Sequence, residues 1–65
     1  MRTWLKEARE SLGLTQQQLA SLVGKDITTI GKYENGKRRP SYETAKKISS
    51  ILSIDWTLFY EEKGA

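Results

Sequence analysis

The sequence predicts an all-α fold, a compact bundle of five short helices, and three observations lead there. Apolar residues recur at i, i+3, i+7, as Leu5, Ala8 and Leu12 do, and again Ala45, Ile48 and Leu52. Helix starts and stops follow one another closely, with Thr, Ser or Asp ahead of a periodic segment and Gly behind it. Nothing alternates with period two over a useful length, so strands are not expected.

Thr3 is placed to cap a first helix that buries the Leu5–Ala8–Leu12 stripe; Gly13 sits where a left-handed residue ends it, and Leu14 folds back on that end. Thr15 with Gln18 three residues on forms a capping box for a second helix, whose inner side is Leu19, Ala20 and Val23 and whose stop is Gly24. Asp26 caps a third segment with Ile30 and Tyr33 inward, closed by Asn35-Gly36. A basic loop, Lys37–Pro40, leads to a fourth helix capped by Ser41. Asp55 caps a last short segment, Trp56–Tyr60. The chain therefore reads as one domain over 1–65, with a frayed polar end at 61–65. Trp56, Phe59 and Tyr60 at i, i+3, i+4 are expected to complete the core, with Phe59 or Tyr60 reaching a two-fold dimer interface.

Composition narrows the chemistry. The 65 residues contain no Cys and no His, which removes disulfides, thiolate and imidazole metal ligands, and Cys or His catalysis. No carboxylates are paired with supporting ligands, so a small hydrolase or nuclease ranks far below a binding role. No cofactor, metal or small-molecule ligand is expected. No apolar run approaches the roughly 18 residues of a membrane span, and Met1–Glu10 is charged where a signal peptide would be apolar. A cytoplasmic location without membrane contact is expected. Residues 1–54 hold ten basic and five acidic groups, while 55–65 hold one basic and three acidic. A basic body with its densest block at Lys37-Arg38-Arg39 suits a polyanion.

Residues 16–35 form one unit. Leu19 is its fourth position, Ala20 the fifth, Val23 the eighth, Gly24 the ninth, Ile30 the fifteenth and Tyr33 the eighteenth. Two helices crossing steeply over a short turn need a small residue at the fifth position, a residue tolerant of positive φ at the ninth, and apolar locks elsewhere. This is a helix-turn-helix pattern, whose second helix projects outward and fits the major groove of DNA.

The run Leu12-Gly13-Leu14-Thr15-Gln16, then Leu19-Ala20, Ile30, Tyr33-Glu34-Asn35-Gly36-Lys37 and Arg39-Pro40-Ser41 resembles the phage repressor/Cro-type, or Xre-type, helix-turn-helix family over roughly residues 4–59. The resemblance implies a lambda-repressor-like five-helix domain. It also implies binding to double-stranded operator DNA, commonly as a homodimer.

It implies site residues too. The matching Gln16 donates to a DNA phosphate; alternatively it is a solvent-facing helix former. The third helix would present Ile27, Thr28, Gly31 and Lys32 to base edges. Ile27 fits a thymine methyl, or packs on its own first turn; Thr28 and Lys32 read bases, or stand in solvent. Mid-helix Gly31 costs roughly 1 kcal/mol against Ala, which a close approach of backbone to DNA would justify. Asn35, Lys37, Arg38 and Arg39 are expected to clamp phosphates. Arg9 and Glu34 match a partly buried ion pair that fixes the third helix and touches no DNA. Two positions depart from the family pattern. Lys25 replaces an apolar turn residue, which loosens packing or reaches a phosphate. Leu22 replaces a polar one, either as a partner surface or as a scattered leucine.

A sequence-specific regulator is therefore expected, a small repressor of phage, mobile-element or antitoxin type, with a protein antagonist or toxin as a candidate partner. The rival is a protein–protein adaptor that keeps the fold and reads no DNA.

Overall fold

The computed structural model describes residues 2–61. Helix α1 spans Thr3–Ser11, α2 Gln16–Val23, α3 Ile27–Asn35 and α4 Tyr42–Leu52, and a 3-10 segment covers Trp56–Tyr60. The expected fifth helix is thus a single tight 3-10 piece. The frayed end expected at 61–65 lies, beyond Glu61, outside the described residues.

Local chemistry explains where the helices begin. Thr15 Oγ1 accepts from the Gln18 amide at 3.0 Å, and Gln18 Oε1 accepts from the Thr15 amide at 2.8 Å, completing the capping box. Asp26 accepts from the Thr29 amide, Ser41 from Thr44 and Asp55 from Thr57. The first helix differs from expectation. Thr3 is already helical, and Arg2 holds the cap position without a side-chain cap bond. The Arg2 amide donates to Glu34 O at 2.8 Å while its carbonyl accepts from Leu5, so a tertiary anchor rather than a hydroxyl starts α1.

All four helices end alike, with an amide bonded back five residues: Leu14 to Arg9 O, Lys25 to Ala20 O, Lys37 to Lys32 O and Ile54 to Ser49 O. Gly24 supplies the left-handed residue after α2, as its place in the turn demands, whereas after α4 that residue is Ser53, at φ +57°.

Leu5, Leu19, Ala20, Ile30, Ile48 and Phe59 make the sealed centre. Leu12 does not join it and is 52% exposed, because it already stands at the C-cap where the chain leaves α1. Arg9 takes the inward place one turn after Leu5 instead. α3 packs on α2 and on α1, while α4 packs on α2 and on the 3-10 segment. No helix among the described residues is long and apolar enough to cross a membrane.

Candidate nucleic-acid interface

α3 divides cleanly. Ile30, Tyr33 and Glu34 are buried, and Thr28, Lys32 and Asn35 are exposed, with Gly31 half-buried between them. The outward set falls at i, i+3, i+4, i+7, one stripe on the face away from the core. It carries a cation, hydroxyl and amide groups and no carboxylate, since Glu34 is turned inward. A Cβ added at Gly31 would meet no other part of the chain within 4 Å, so its own packing does not require glycine there. Ile27, 43% exposed, opens onto a shallow groove shared with Leu14, Gln16 and Gln17.

The stripe is held in place from behind. Arg9 Nε donates to Glu34 Oε2 at 2.6 Å, and Arg9 Nη2 to Glu34 Oε1 at 3.3 Å. Arg9 Nη1 also donates to Leu14 O at 2.7 Å. Gln16 Nε2 donates to Glu34 Oε1 at 3.0 Å, so the start of α2 is tied to the same carboxylate. The fork–fork pairing removes both charges from water with their hydrogen bonds made.

Asp26, at the foot of α3, has its carboxyl held below the usual carboxylate range by hydrogen bonds from Thr29, side chain first and then backbone. Asp55 is held low in the same sense by the Thr57 amide.

Beside the end of α3, Lys37, Arg38 and Arg39 are exposed, and so is Lys25 on the other side. Lys25 turns to solvent while Val23, two residues before it, is buried; a cleft lined by Val23, Gly24, Lys25 and Lys47 lies between the turn and α4. Arg39 lies 5.3 Å from the centre of the Tyr60 ring.

The aromatic surface differs from expectation. Phe59 is fully buried and meets the Trp4 ring edge-on at 5.0 Å, so it has no surface left for a dimer contact. Tyr60 is 39% exposed and its hydroxyl donates to Pro40 O at 3.2 Å. It belongs to a chain of edge-on rings running through Trp56 to the exposed Tyr42, against which Lys46 is stacked. Leu22 is 56% exposed, with Leu14 beside it in a shallow apolar groove.

Sequence reasoning missed two residues. Tyr42 gave no periodic signal beyond following its cap. Arg2 is buried, and its Nη1 donates to Tyr33 O at 2.6 Å and Arg38 O at 2.7 Å, contacts 31 and 36 residues away that no local pattern encodes.

Two short helices crossing over a glycine turn, with the second exposing a polar, carboxylate-free stripe, define a helix-turn-helix protein. A model of that family matches residues 5–59, and the chain belongs to the helix-turn-helix family. A relative from Bacillus subtilis (strain 168), described as the uncharacterized HTH-type transcriptional regulator YqaF, is 42% identical over 64 residues, 95% of this chain and 82% of its own length. An uncharacterized HTH-type transcriptional regulator of Methanothermobacter thermautotrophicus is 40% identical over 68 residues, covering all of this chain and 99% of its own. The SPbeta prophage-derived regulator YonR of Bacillus subtilis is 42% identical over 50 residues, 77% of this chain and 46% of that protein. All three are described as HTH-type transcriptional regulators, and the chain shares the helix-turn-helix family with them.

Proposed function

We propose that the chain is a sequence-specific repressor of phage or mobile-element type, and that it reads the major groove of double-stranded DNA with α3. The observation that carries this reading is the outward stripe of Thr28, Gly31, Lys32 and Asn35, rigidly backed and flanked by Lys37, Arg38 and Arg39. An α-helix fits the roughly 12 Å major groove, and backbone-neutralising cations on its flank supply affinity while stripe residues discriminate bases. Ile27 and Thr28 at the near end, and Lys32 further along, are assigned to base edges. Lys25, Asn35 and the three loop cations are assigned to phosphates.

Gln16 joins the phosphate set. A carboxamide carries two N–H donors, so its bond to Glu34 leaves one for a phosphate and orients it. Arg9 and Glu34 stay off the DNA and hold α2, α3 and the turn in register.

Binding as a homodimer belongs to the same reading, over half-sites about 34 Å apart. Tyr42, Trp56 and Tyr60 form the surface we assign to the second copy, with Phe59 as its support from inside. Leu22 beside Leu14 offers an apolar contact for a protein antagonist or toxin. A cytoplasmic location goes with this role.

Selection from random duplex DNA at two salt concentrations tests the reading. A two-fold symmetric motif is expected, with affinity falling steeply as salt rises. Recovery of no motif, with negligible affinity at physiological salt, favours an adaptor instead.

A further inference from the structure

We propose that Arg2 is a positioning residue for DNA binding, holding the cationic Lys37–Arg39 loop against the end of α3. The inference rests on the functional reading above and adds a residue on the far side of the loop from the DNA.

Arg2 is 3% exposed, an uncommon place for a guanidinium. Its side chain reaches backbone carbonyls of two segments. Nη1 spends its two hydrogens on Tyr33 O and Arg38 O, at 2.6 and 2.7 Å, and the Arg2 amide donates to Glu34 O at 2.8 Å. Tyr33 and Glu34 lie in the last turn of α3, at the negative end of the helix dipole, and Tyr33 O also accepts the Gly36 amide at 3.3 Å. One cation therefore joins the end of α3 to the middle of the loop. The Phe59 ring centre, 5.6 Å from its guanidinium carbon, backs it from the core.

The loop needs such an anchor. Three successive cations repel one another, and the Lys37 and Arg38 amides share a single acceptor, Lys32 O, at 3.0 and 3.3 Å. Beyond them the Tyr60 hydroxyl on Pro40 O is a second brace. An ordered loop holds its cations where they reach phosphates and loses no conformational freedom on binding, so the clamp raises both affinity and the number of phosphates neutralised without touching DNA.

The test uses the full chain as parent, Arg2→Met and Arg2→Lys, with Ile48→Val as a core variant that loses stability elsewhere. Arg2→Met is expected to speed amide exchange at Lys37 and Arg38 more than at Leu19 and Ile30. It is also expected to weaken binding to a mixed-sequence duplex about tenfold at low salt and to flatten the log–log salt slope by about one to two. Arg2→Lys keeps the charge and restores part of both. Ile48→Val shifts stability and leaves the salt slope as in the parent. Equal acceleration of loop and core amides in Arg2→Met, or an unaltered salt slope, overturns the proposal. A parent chain that binds no duplex overturns the functional reading and the DNA half of this one, while amide exchange still decides whether Arg2 orders the loop.

Discussion

Arg9 and Glu34 meet at 2.6 Å with side chains only 8% and 4% exposed, joining α1 to the buried side of α3. A pair sunk this far is held by geometry: both oxygens of Glu34 are occupied, by Arg9 and Gln16, and Arg9 spends a further donor on Leu14 O. Removing one partner strands the other in low dielectric. Arg9→Met or Glu34→Gln is expected to cost about 3–5 kcal/mol, read by urea unfolding. Replacing both with apolar residues should cost less than the sum of the single changes, because no charge is then left unpaired.

Gly31 is the second test. Its backbone is helical and open, so Gly31→Ala should stabilise the free protein by about 0.8–1 kcal/mol through helix propensity alone. If α3 lies against DNA, the added methyl stands between backbone and groove and affinity falls. Melting temperature rising while duplex affinity drops is the expected pair of results. A rise in both would remove the close approach.

Ser53 holds a left-handed conformation that costs an L-residue roughly 1–2 kcal/mol. Glycine avoids that strain at some entropic cost, so Ser53→Gly should add about 0.5–1 kcal/mol. For a domain of this size that raises the midpoint of thermal unfolding by several degrees.

Local and long-range contacts differ in how far the sequence alone reveals them. A helix cap involves atoms two or three residues apart, which is why Thr15 with Gln18, Asp26, Ser41 and Asp55 were legible. The left-handed Ser53 was not, since nothing in its residue type requires it. Periodicity failed in the last segment for a physical reason. Spacing i, i+3, i+4 marks one face of an α-helix, but a 3-10 helix turns every three residues, so Phe59 goes inward and Tyr60 outward. Within the candidate site, the α3 stripe followed from local spacing, whereas Arg2 joins chain positions more than thirty residues apart.

Acid should weaken the protein in a defined window. Asp26 and Asp55 have folded-state pKa values below their ordinary 3.8, so the unfolded chain binds protons more readily than the folded one. Their contribution is complete above that ordinary value and is lost as pH falls through the lower folded values. Thermal melts between neutral pH and pH 2 should therefore show a decline on the acid side. Asp26→Asn, which keeps a capping oxygen without a titrating charge, should make that decline shallower. An unchanged acid limb in both Asp26→Asn and Asp55→Asn would mean that other carboxylates govern it.

The division between affinity and discrimination yields the sharpest contrast. Arg39 stands in the flanking loop, 5.3 Å from the centre of the Tyr60 ring, and Thr28 and Lys32 stand on the outward stripe of α3. A phosphate contact is blind to sequence. Arg39→Ala should thus weaken all duplexes by a similar factor and flatten the salt slope by about one. Thr28→Ala and Lys32→Ala should change which base is preferred at particular positions, by about 1–3 kcal/mol where a base contact is lost. Competition binding across single-base variants of the selected motif, at two salt concentrations, separates the two effects. If Arg39→Ala altered preference while the α3 substitutions scaled every sequence equally, the assignments would be exchanged, and the loop rather than the helix would be reading DNA.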